Sequence, residues 1–305
     1  MIGWGALLAC MGAGAMWSVV GWAYQRNAAA GRHPALIIFA LSACAAVLVG
    51  PYAVITGATD GAPGGVAVWM SAPVRWYALS GLISVAWGMA IQVAMRRVQP
   101  SITWAISQCA PIVPLLVSVL FHGERLTLPA AAGVACMALA IVVMKGRRQH
   151  PPVAAASGAP PEIRTGSSWW PIAAFLLIGC HQAAMAEPAH ADAGVPTPVR
   201  LMIFFVSMAL LSGAIIAIAR VRLDRAVLSA GAIAAGAGLL GQCLILISLD
   251  WLAATDAAGL AYPCAIGTTI LTFALGRRLR GERLSKPALV GIGLIVVGLI
   301  GLGFS

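Results

Sequence analysis

The sequence predicts an all-α integral membrane protein with ten transmembrane helices. Of its 305 residues, 61% are apolar and only 9% are charged, whereas soluble domains carry about 25% charged residues. This composition excludes a soluble globular enzyme and a disordered chain, and an outer-membrane barrel would show short alternating segments instead. A span needs about 20 apolar residues, and ten such stretches can be drawn: 2–24, 34–55, 75–95, 100–121, 128–145, 169–187, 200–219, 229–249, 254–275 and 287–304.

The chain divides into two halves of five predicted spans. A stretch rich in Pro, Ala, Gly and Ser at 149–168 cannot bury enough surface to fold. We therefore expect a flexible linker there, between a first repeat at 1–148 and a second repeat at 169–305.

An internal repeat supports this division. GERLTLPAAAG at 123–133 and GERLSKPALVG at 281–291 are identical at seven of eleven positions, and each precedes the last span of its half. Because each half holds an odd number of spans, the second repeat must enter the membrane inverted. Inverted repeats are a transporter architecture, with the substrate site near the bilayer midplane.

The distribution of basic residues predicts the orientation. Counted by the span that precedes each loop, the odd-numbered loops hold sixteen of the nineteen Lys and Arg residues, and the even-numbered loops hold only Arg75, Arg125 and Arg200. Basic loops stay in the cytoplasm, so both termini are predicted to be extracytoplasmic. One helix more or fewer would change this assignment of the termini.

Polar side chains inside spans are costly and are candidates for function. We predict that substrate is bound by such polar residues and by deep tryptophans whose rings can stack on a solute: Trp17, Trp87, Gln92, Gln108, Gln182, Gln242 and Tyr262. The alternative is that the Gln and Tyr side chains only hydrogen-bond between helices.

Acidic residues and histidines near span ends carry weaker hypotheses. His181 with Glu187, His190 and Asp192 suggests a proton relay or a metal site, but Pro188 is expected to end the helix and leave the last three in a solvated loop. Glu124 and Glu282 of the repeated motif suggest proton coupling. Their position before a helix N-terminus favours a structural role instead.

Several chemistries have no sequence support. The seven cysteines all lie in apolar runs without a metal-binding spacing, and no motif for ATP binding or for common hydrolases occurs. We therefore predict that the protein is not an enzyme and has no cofactor and no metal site.

The motifs resemble those of a known family. Two five-span halves, each with a proline, then GERL with Thr or Ser, then a Gly-rich last helix, resemble the EamA-type drug/metabolite transporter superfamily; the matching segments run from Pro111 to Gly133 and from Gly281 to Gly303. Many members of that superfamily have both termini inside. The opposite orientation predicted above, with both termini extracytoplasmic, makes the chain resemble more closely the rhamnose- and glucose-porter branch of that superfamily.

The resemblance implies a secondary transporter that moves a small organic metabolite across the inner (cytoplasmic) membrane by alternating access. Its expected partners are that solute, a coupling proton or sodium ion, the lipid bilayer and, as an open possibility, further copies of the chain, but no nucleic acid. An alternative from another class is a membrane scaffold or lipid-intermediate flippase accessory without solute turnover, which would need no polar midplane.

Overall fold

The computed structural model describes residues 4–59, 72–123, 125–145, 169–190, 197–253, 261–279 and 285–302. These ranges form eleven helices and no strand. The helices are α1 (Trp4–Ala29), α2 (Pro34–Thr59), α3 (Ala72–Arg97), α4 (Pro100–Ser107), α5 (Ile112–Phe121), α6 (Leu128–Lys145), α7 (Trp170–His190), α8 (Thr197–Ala219), α9 (Arg225–Ala253), α10 (Ala261–Leu279) and α11 (Lys286–Leu302).

Most of these helices are apolar enough to lie in a membrane. Six segments are also long enough to cross it, namely α1, α2, α3, the α4–α5 pair, α8 and α9, and shorter apolar helices lie in α6, α7, α10 and α11. Large apolar side chains such as Leu8, Val47 and Ile218 are exposed on the outside, as expected of a surface that faces lipid. The prediction of a multi-pass helical membrane protein is confirmed, and the count of ten spans in two repeats stays a prediction.

The fourth predicted span is broken rather than continuous. α4 ends at Ser107 and α5 begins at Ile112, with turns between them. In this segment the Cys109 N–H donates to the carbonyl of Ile106, three residues back, at 3.1 Å. Pro111 explains the break, because proline has no N–H to donate and its ring clashes with the carbonyl four residues earlier. The expectation of one uninterrupted fourth helix is therefore corrected.

The helices of the two sequence halves pack mainly against each other. The most extensive pairings are α2 with α8, α6 with α11, α1 with α9 and α3 with α7. Each pairing joins a helix before residues 149–168 to a helix after them, and the largest cluster of buried apolar side chains draws on both halves. The halves therefore interlock around a shared core.

The contact between α1 and α10 is close enough to require glycine. A β-carbon on Gly14 would overlap the carbonyl oxygen of Ala265. The close approach lets the Thr269 hydroxyl donate to the Gly14 carbonyl at 3.0 Å, and it brings the Ser18 and Thr272 hydroxyls into hydrogen-bond contact. Small residues and short polar contacts hold helices together in lipid, where no hydrophobic force draws one helix to another.

Glycines also bring α6 and α11 together. A β-carbon on Gly133 would lie 2.5 Å from the carbonyl oxygen of Gly298, and one on Gly301 would lie 2.7 Å from that of Pro129. The Gly-rich final helices of the two predicted repeats thus pack backbone against backbone.

Replacing Gly14 with alanine is expected to lower the thermal midpoint of the purified protein, because the added methyl group meets backbone that cannot move aside. Overpacking of this kind costs about 1–3 kcal/mol. Thermal unfolding of detergent-solubilised protein, followed by size-exclusion chromatography, measures the effect. The matched control is Gly236→Ala in α9, where nothing lies within 4 Å of the added carbon and alanine favours the helix. Equal midpoints for the two variants would contradict the close approach.

Candidate functional site

A cavity lies between helices of both halves. It offers about 100 Å³ to the centres of water molecules, which is room for several waters or part of a small organic solute, since one water needs about 10–15 Å³ on this measure. Its lining comes from α1, α2, α3, α4, the turn after α4, α7, α8 and α9: Trp17, Val20, Tyr24, Leu41, Ser84, Trp87, Trp104, Gln108, Ile178, His181, Gln182, Met185, Phe204, Phe205, Met208, Gly238 and Gln242. Most of these residues lie several turns from the ends of their helices.

One wall of the cavity is a column of aromatic rings. The ring centroid of Trp87 lies 5.7 Å from that of Tyr24, edge to face, and 6.1 Å from that of Trp104. Trp104 in turn stacks on Phe273 at 5.2 Å. Gly21 makes room for this column, since a β-carbon there would lie 2.9 Å from the Trp104 ring. The wall can present flat apolar faces to a solute.

Three glutamine amides lie around the same space. Gln108 lies in the turn between α4 and α5, Gln182 on α7 and Gln242 on α9. Among the described residues, none of these three side-chain amides has a hydrogen-bond partner. An amide left without a partner in the protein is available to a solute or to water.

His181 adds an imidazole to the cavity. Its Nδ1 lies 2.6 Å from the Ser80 hydroxyl oxygen and 3.0 Å from the Ser84 hydroxyl oxygen. The ring centroid lies 5.5 Å from that of Phe204. The two serines, one helical turn apart on α3, therefore fix the orientation of the ring.

The cavity lining holds no Asp, Glu, Lys or Arg among the residues that the structure describes. Charged side chains pair near helix ends instead. Arg32, before α2, forms an ion pair with Asp224, before α9, at 3.1 Å, and both side chains are partly exposed. The Asp224 carboxylate also accepts a hydrogen bond from the Val227 N–H at 2.7 Å and so caps α9.

The second pair corrects the expectation for the end of α7. That helix continues through Pro188 to His190, because a proline in the last turn removes one hydrogen bond without ending the helix. Glu187 therefore lies on the helix and contacts His122, which follows α5, at 3.1 Å. Asp192 lies outside the described residues.

Gln92 does not line the cavity. It is fully buried on α3, its side-chain N–H groups donate to the carbonyls of Pro34 at 3.1 Å and Gly88 at 2.8 Å, and its carbonyl oxygen accepts a bond from Asn27 at 2.7 Å. This side chain ties α3 to the end of α1 and to the start of α2. The sequence grouped it with the cavity residues because both kinds of glutamine lie within apolar helices.

The remaining predicted residues have the following places. Trp17, Trp87, Gln108, Gln182 and Gln242 line the cavity. Tyr262 lies in the first turn of α10, and its side chain lies outside the described part of the structure. Glu124 and Glu282 also lie outside the described residues.

The sequence interpretation missed several lining residues, notably Ser84, Tyr24 and Phe204. One signal could have found Ser84. Ser80, Ser84 and Trp87 follow an i, i+4, i+7 spacing, which places them on one helical face. The aromatic residues carry no such signal, because an aromatic ring in a membrane span faces lipid as readily as a cavity.

The comparison with known families finds a match over the first half of the chain. Residues 3–145 match the profile described as the EamA-like transporter family. The match covers 143 of the 305 residues, so the first half of the chain is similar to that family. The resemblance drawn from the repeated GERL motifs is thereby confirmed for that part of the chain.

A solved structure agrees with the fold over nearly the whole chain. It is described only as the crystal structure of a protein, is 18% identical in sequence, and superposes with a TM-score of 0.57. The match covers 97% of this chain and 95% of the other. The fold of the whole chain, with both of its halves, is therefore one already seen in a solved structure. A search of curated proteins finds no match.

Gln92 and Gln242 give a sharp test of the site assignment. Gln92→Leu is expected to lower the thermal midpoint, because it removes three hydrogen bonds of a fully buried side chain and leaves the Asn27 amide with only its bond to the His33 carbonyl; a buried polar group that loses its partner costs about 1–3 kcal/mol. Gln242→Leu, the matched change at an amide with no partner, is expected to leave the midpoint nearly unchanged. Thermal unfolding of both purified variants checks this. A lower midpoint for Gln242→Leu than for Gln92→Leu would instead make Gln242 the structural residue and Gln92 the candidate for solute binding.

Proposed function

We propose that the protein is a secondary transporter that carries a small organic solute without net charge across the cytoplasmic membrane by alternating access. The observation that carries the proposal is the cavity between the two halves, which combines an aromatic wall with three amides that have no partner among the described residues. Such a site can hold a solute by stacking and by hydrogen bonds. The similarity of residues 3–145 to a transporter family supports the proposal.

The pairing of helices supports two inverted repeats. Suppose that α1 to α6 correspond in order to α7 to α11, with the α4–α5 pair counted as one span. The contact between α1 and α9 is then equivalent to the contact between α7 and α3. Both are among the most extensive contacts. Likewise α2 with α9 corresponds to α8 with α3, and both pairs are in contact. A pattern that survives exchange of the halves is what a pseudo-twofold axis produces.

Matching glycines support the same relation. Gly14 of α1 approaches α10, and Gly179 of α7 approaches Val113 of the α4–α5 span in the corresponding place. Three residues after each glycine stand Trp17 and Gln182, and both line the cavity. The cavity thus takes equivalent positions from the two halves.

The broken fourth span also fits a transporter. Substrate sites in transporters with inverted repeats are typically built at discontinuous helices near the midplane. Here the break between Ser107 and Ile112 places the partnerless amide of Gln108 at the cavity. The turn caused by Pro111 thus brings a polar group to the depth where a solute would be bound.

The solute class follows from the absence of charge. A bare ion or a strongly charged metabolite in a water-poor cavity would need a compensating side chain, and the described lining has none. A neutral, zwitterionic or amphipathic organic solute needs only apolar faces and hydrogen bonds. We therefore assign the site to that class.

The Arg32–Asp224 ion pair and the His122–Glu187 contact fit a pair of gates. Following the chain through its spans, Arg32 and Asp224 lie at one end of the bundle, and His122 and Glu187 lie at the other. Each pair joins the first half to the second. Exposed ion pairs contribute only about 0–1 kcal/mol each, so one can open while the other closes at small cost. This is the behaviour that alternating access requires.

A scaffold or lipid-intermediate flippase accessory is the alternative function. Such a protein would not depend on the three cavity amides, whereas a transporter would. The substitutions below therefore separate the two functions.

Gln108→Leu is expected to reduce transport about five- to a hundredfold, because a solute group that loses its partner costs about 1–3 kcal/mol. The measurement is untargeted metabolite profiling of cells that make the wild-type protein, the variant or neither. Metabolite pools that change when cells make the wild-type protein should return, in cells that make the variant, toward their level in cells that make neither protein. The pool sizes are normalised to the amount of membrane-inserted protein.

The matched control is Gln25→Leu, a change of the same kind on α1 outside the cavity lining, checked for equal insertion. If Gln108→Leu left every affected pool at its wild-type level, the cavity would not be the solute site and the scaffold would be favoured.

Both termini are expected to be extracytoplasmic, because sixteen of the nineteen basic residues fall in odd-numbered loops. A C-terminal alkaline phosphatase fusion, which folds only outside the cytoplasm, should be active. A C-terminal green fluorescent protein fusion serves as the opposite reporter, and strong fluorescence from it would reverse the orientation while leaving the cavity assignment intact.

A further inference from the structure

We propose that His181 is the proton-binding group of the cavity, oriented by Ser80 and Ser84, and that solute movement is coupled to its protonation. The inference rests on the proposed transport function and selects the proton over sodium as the coupling ion. Its basis is the place of the imidazole in the cavity lining and its contacts with two serine hydroxyls.

The lining offers few groups that can change charge. Glutamine amides, serine hydroxyls and indoles do not titrate in the physiological range, and a phenol such as that of Tyr24 ordinarily titrates near about pH 10. Imidazole is the side chain whose charge ordinarily changes between about pH 5 and pH 8. His181 is therefore the group of the described lining that is suited to bind and release a proton during transport.

Other ionisable groups near α7 are placed elsewhere. Within the described residues, the helices and turns around it carry Arg75, Tyr77, Arg96 and Arg97 on α3, Cys109 in the turn after α4, His122 after α5 and Arg200 on α8, and α7 itself carries Cys180, Glu187 and His190. Apart from His190, whose side chain lies outside the described part of the structure, none of these residues lines the cavity. Several are engaged at helix ends: Arg200 lies over the Tyr77 ring, Arg97 over the Trp170 ring, and His122 contacts Glu187.

The surroundings of His181 can accommodate the imidazolium. When both ring nitrogens carry a proton, the Nδ1–H can donate to the Ser80 and Ser84 hydroxyl oxygens, which lie 2.6 and 3.0 Å away. The Phe204 ring centroid, 5.5 Å from that of His181, lies within the distance at which a cation is attracted to an aromatic face. Ser80 and Ser84 are thus positioning residues that keep one nitrogen bonded and leave the other to the cavity.

The proton transfer is simple. A hydronium ion on the open side gives its proton to the lone pair of the free imidazole nitrogen, and water is left behind. On the opposite side the imidazolium returns the proton to water. No other bond forms or breaks, and no oxidant, reductant or further reactant is needed.

Coupling follows from the missing counter-charge. Because the described lining holds no carboxylate, an imidazolium in a closed and water-poor cavity would be a poorly compensated charge. The proton therefore binds and leaves while the cavity is open to water, and the solute changes the free energy of that charge by displacing water from around it. This links the proton equilibrium to solute binding.

The first test observes the proton directly. The purified full-length protein, labelled with nitrogen-15 in its histidines, is titrated in detergent from about pH 4.5 to pH 8.5, and the His181 signals are identified by their loss in His181→Gln. We expect these signals to change from neutral imidazole to imidazolium within that range. A Ser80→Ala/Ser84→Ala variant should alter the balance of the two neutral tautomers, an effect that simple loss of stability would not produce. His181 signals that stay neutral throughout would overturn the proposal.

The second test measures coupling without knowledge of the solute. The probe is the set of metabolite pools that depend on the wild-type protein, compared at an external pH of about 5.5 and about 7.5. We expect the pools in wild-type cells to differ between the two pH values by about three- to tenfold and to lose that difference in His181→Gln. The control is His33→Gln, which removes an imidazole outside the cavity lining and should keep the wild-type pH dependence.

The outcomes separate this inference from the proposed function. If no pool depends on the wild-type protein, transport itself is refuted. If pools depend on the protein and on Gln108 but show the same pH dependence in His181→Gln as in wild type, transport stands and the proton site is refuted. Equal amounts of membrane-inserted protein, verified for each variant, keep a folding defect from imitating either result.

Discussion

The structure depends on one constraint: a polar group carried into hydrocarbon must find its partner inside the protein. Short side chains meet it locally, since the hydroxyls of Ser42, Ser212 and Ser248 donate to the carbonyl four residues earlier in their own helix. Gln92 meets it across helices, with all its bonds made to α1, α3 and the start of α2. Against this background, the glutamine amides that have no described partner stand out; three of them line one cavity, and Gln25 lies outside it.

The same constraint explains how much of the molecule could be predicted from its sequence. Apolar runs of about 20 residues define helices almost without regard to tertiary structure, so the helical membrane fold followed from composition and length. The boundaries were less certain. The break at Pro111 needed attention to a single residue, and the passage of α7 through Pro188 shows that a proline in a last turn does not always end a helix.

The cavity residues were only partly predictable, for a reason that lies in packing. Gln92 and Gln242 are the same residue type in similar apolar surroundings, and only the neighbouring helices decide that one is fully bonded while the other faces a cavity. The aromatic lining residues are harder still to predict from sequence, because an apolar ring is suited both to a position that faces lipid and to one that faces a cavity. A contribution such as that of Ser80 and Ser84 to His181 depends on the pairing of α3 with α7, two helices far apart in the chain.

The interlocking of the two halves has a mechanical meaning. Since α1 packs on α9 and α3 packs on α7, neither half can move as a rigid body without carrying helices of the other. Any unit that moves as a rigid body would have to contain helices from both halves. The Gly-lined contact of α6 with α11 is a compact region where little movement is possible.

The uncharged lining of the cavity also bears on energy supply. A fixed charge that moves through the full membrane potential exchanges about 2.3 kcal/mol per 100 mV with the electric field. In the proposed transport cycle, the empty site with its imidazole neutral has no such charge in the described lining, so its return across the membrane would move no charge of that lining through the field. Any sensitivity of the cycle to membrane potential must then enter with the proton or the solute, in the loaded half of the cycle alone.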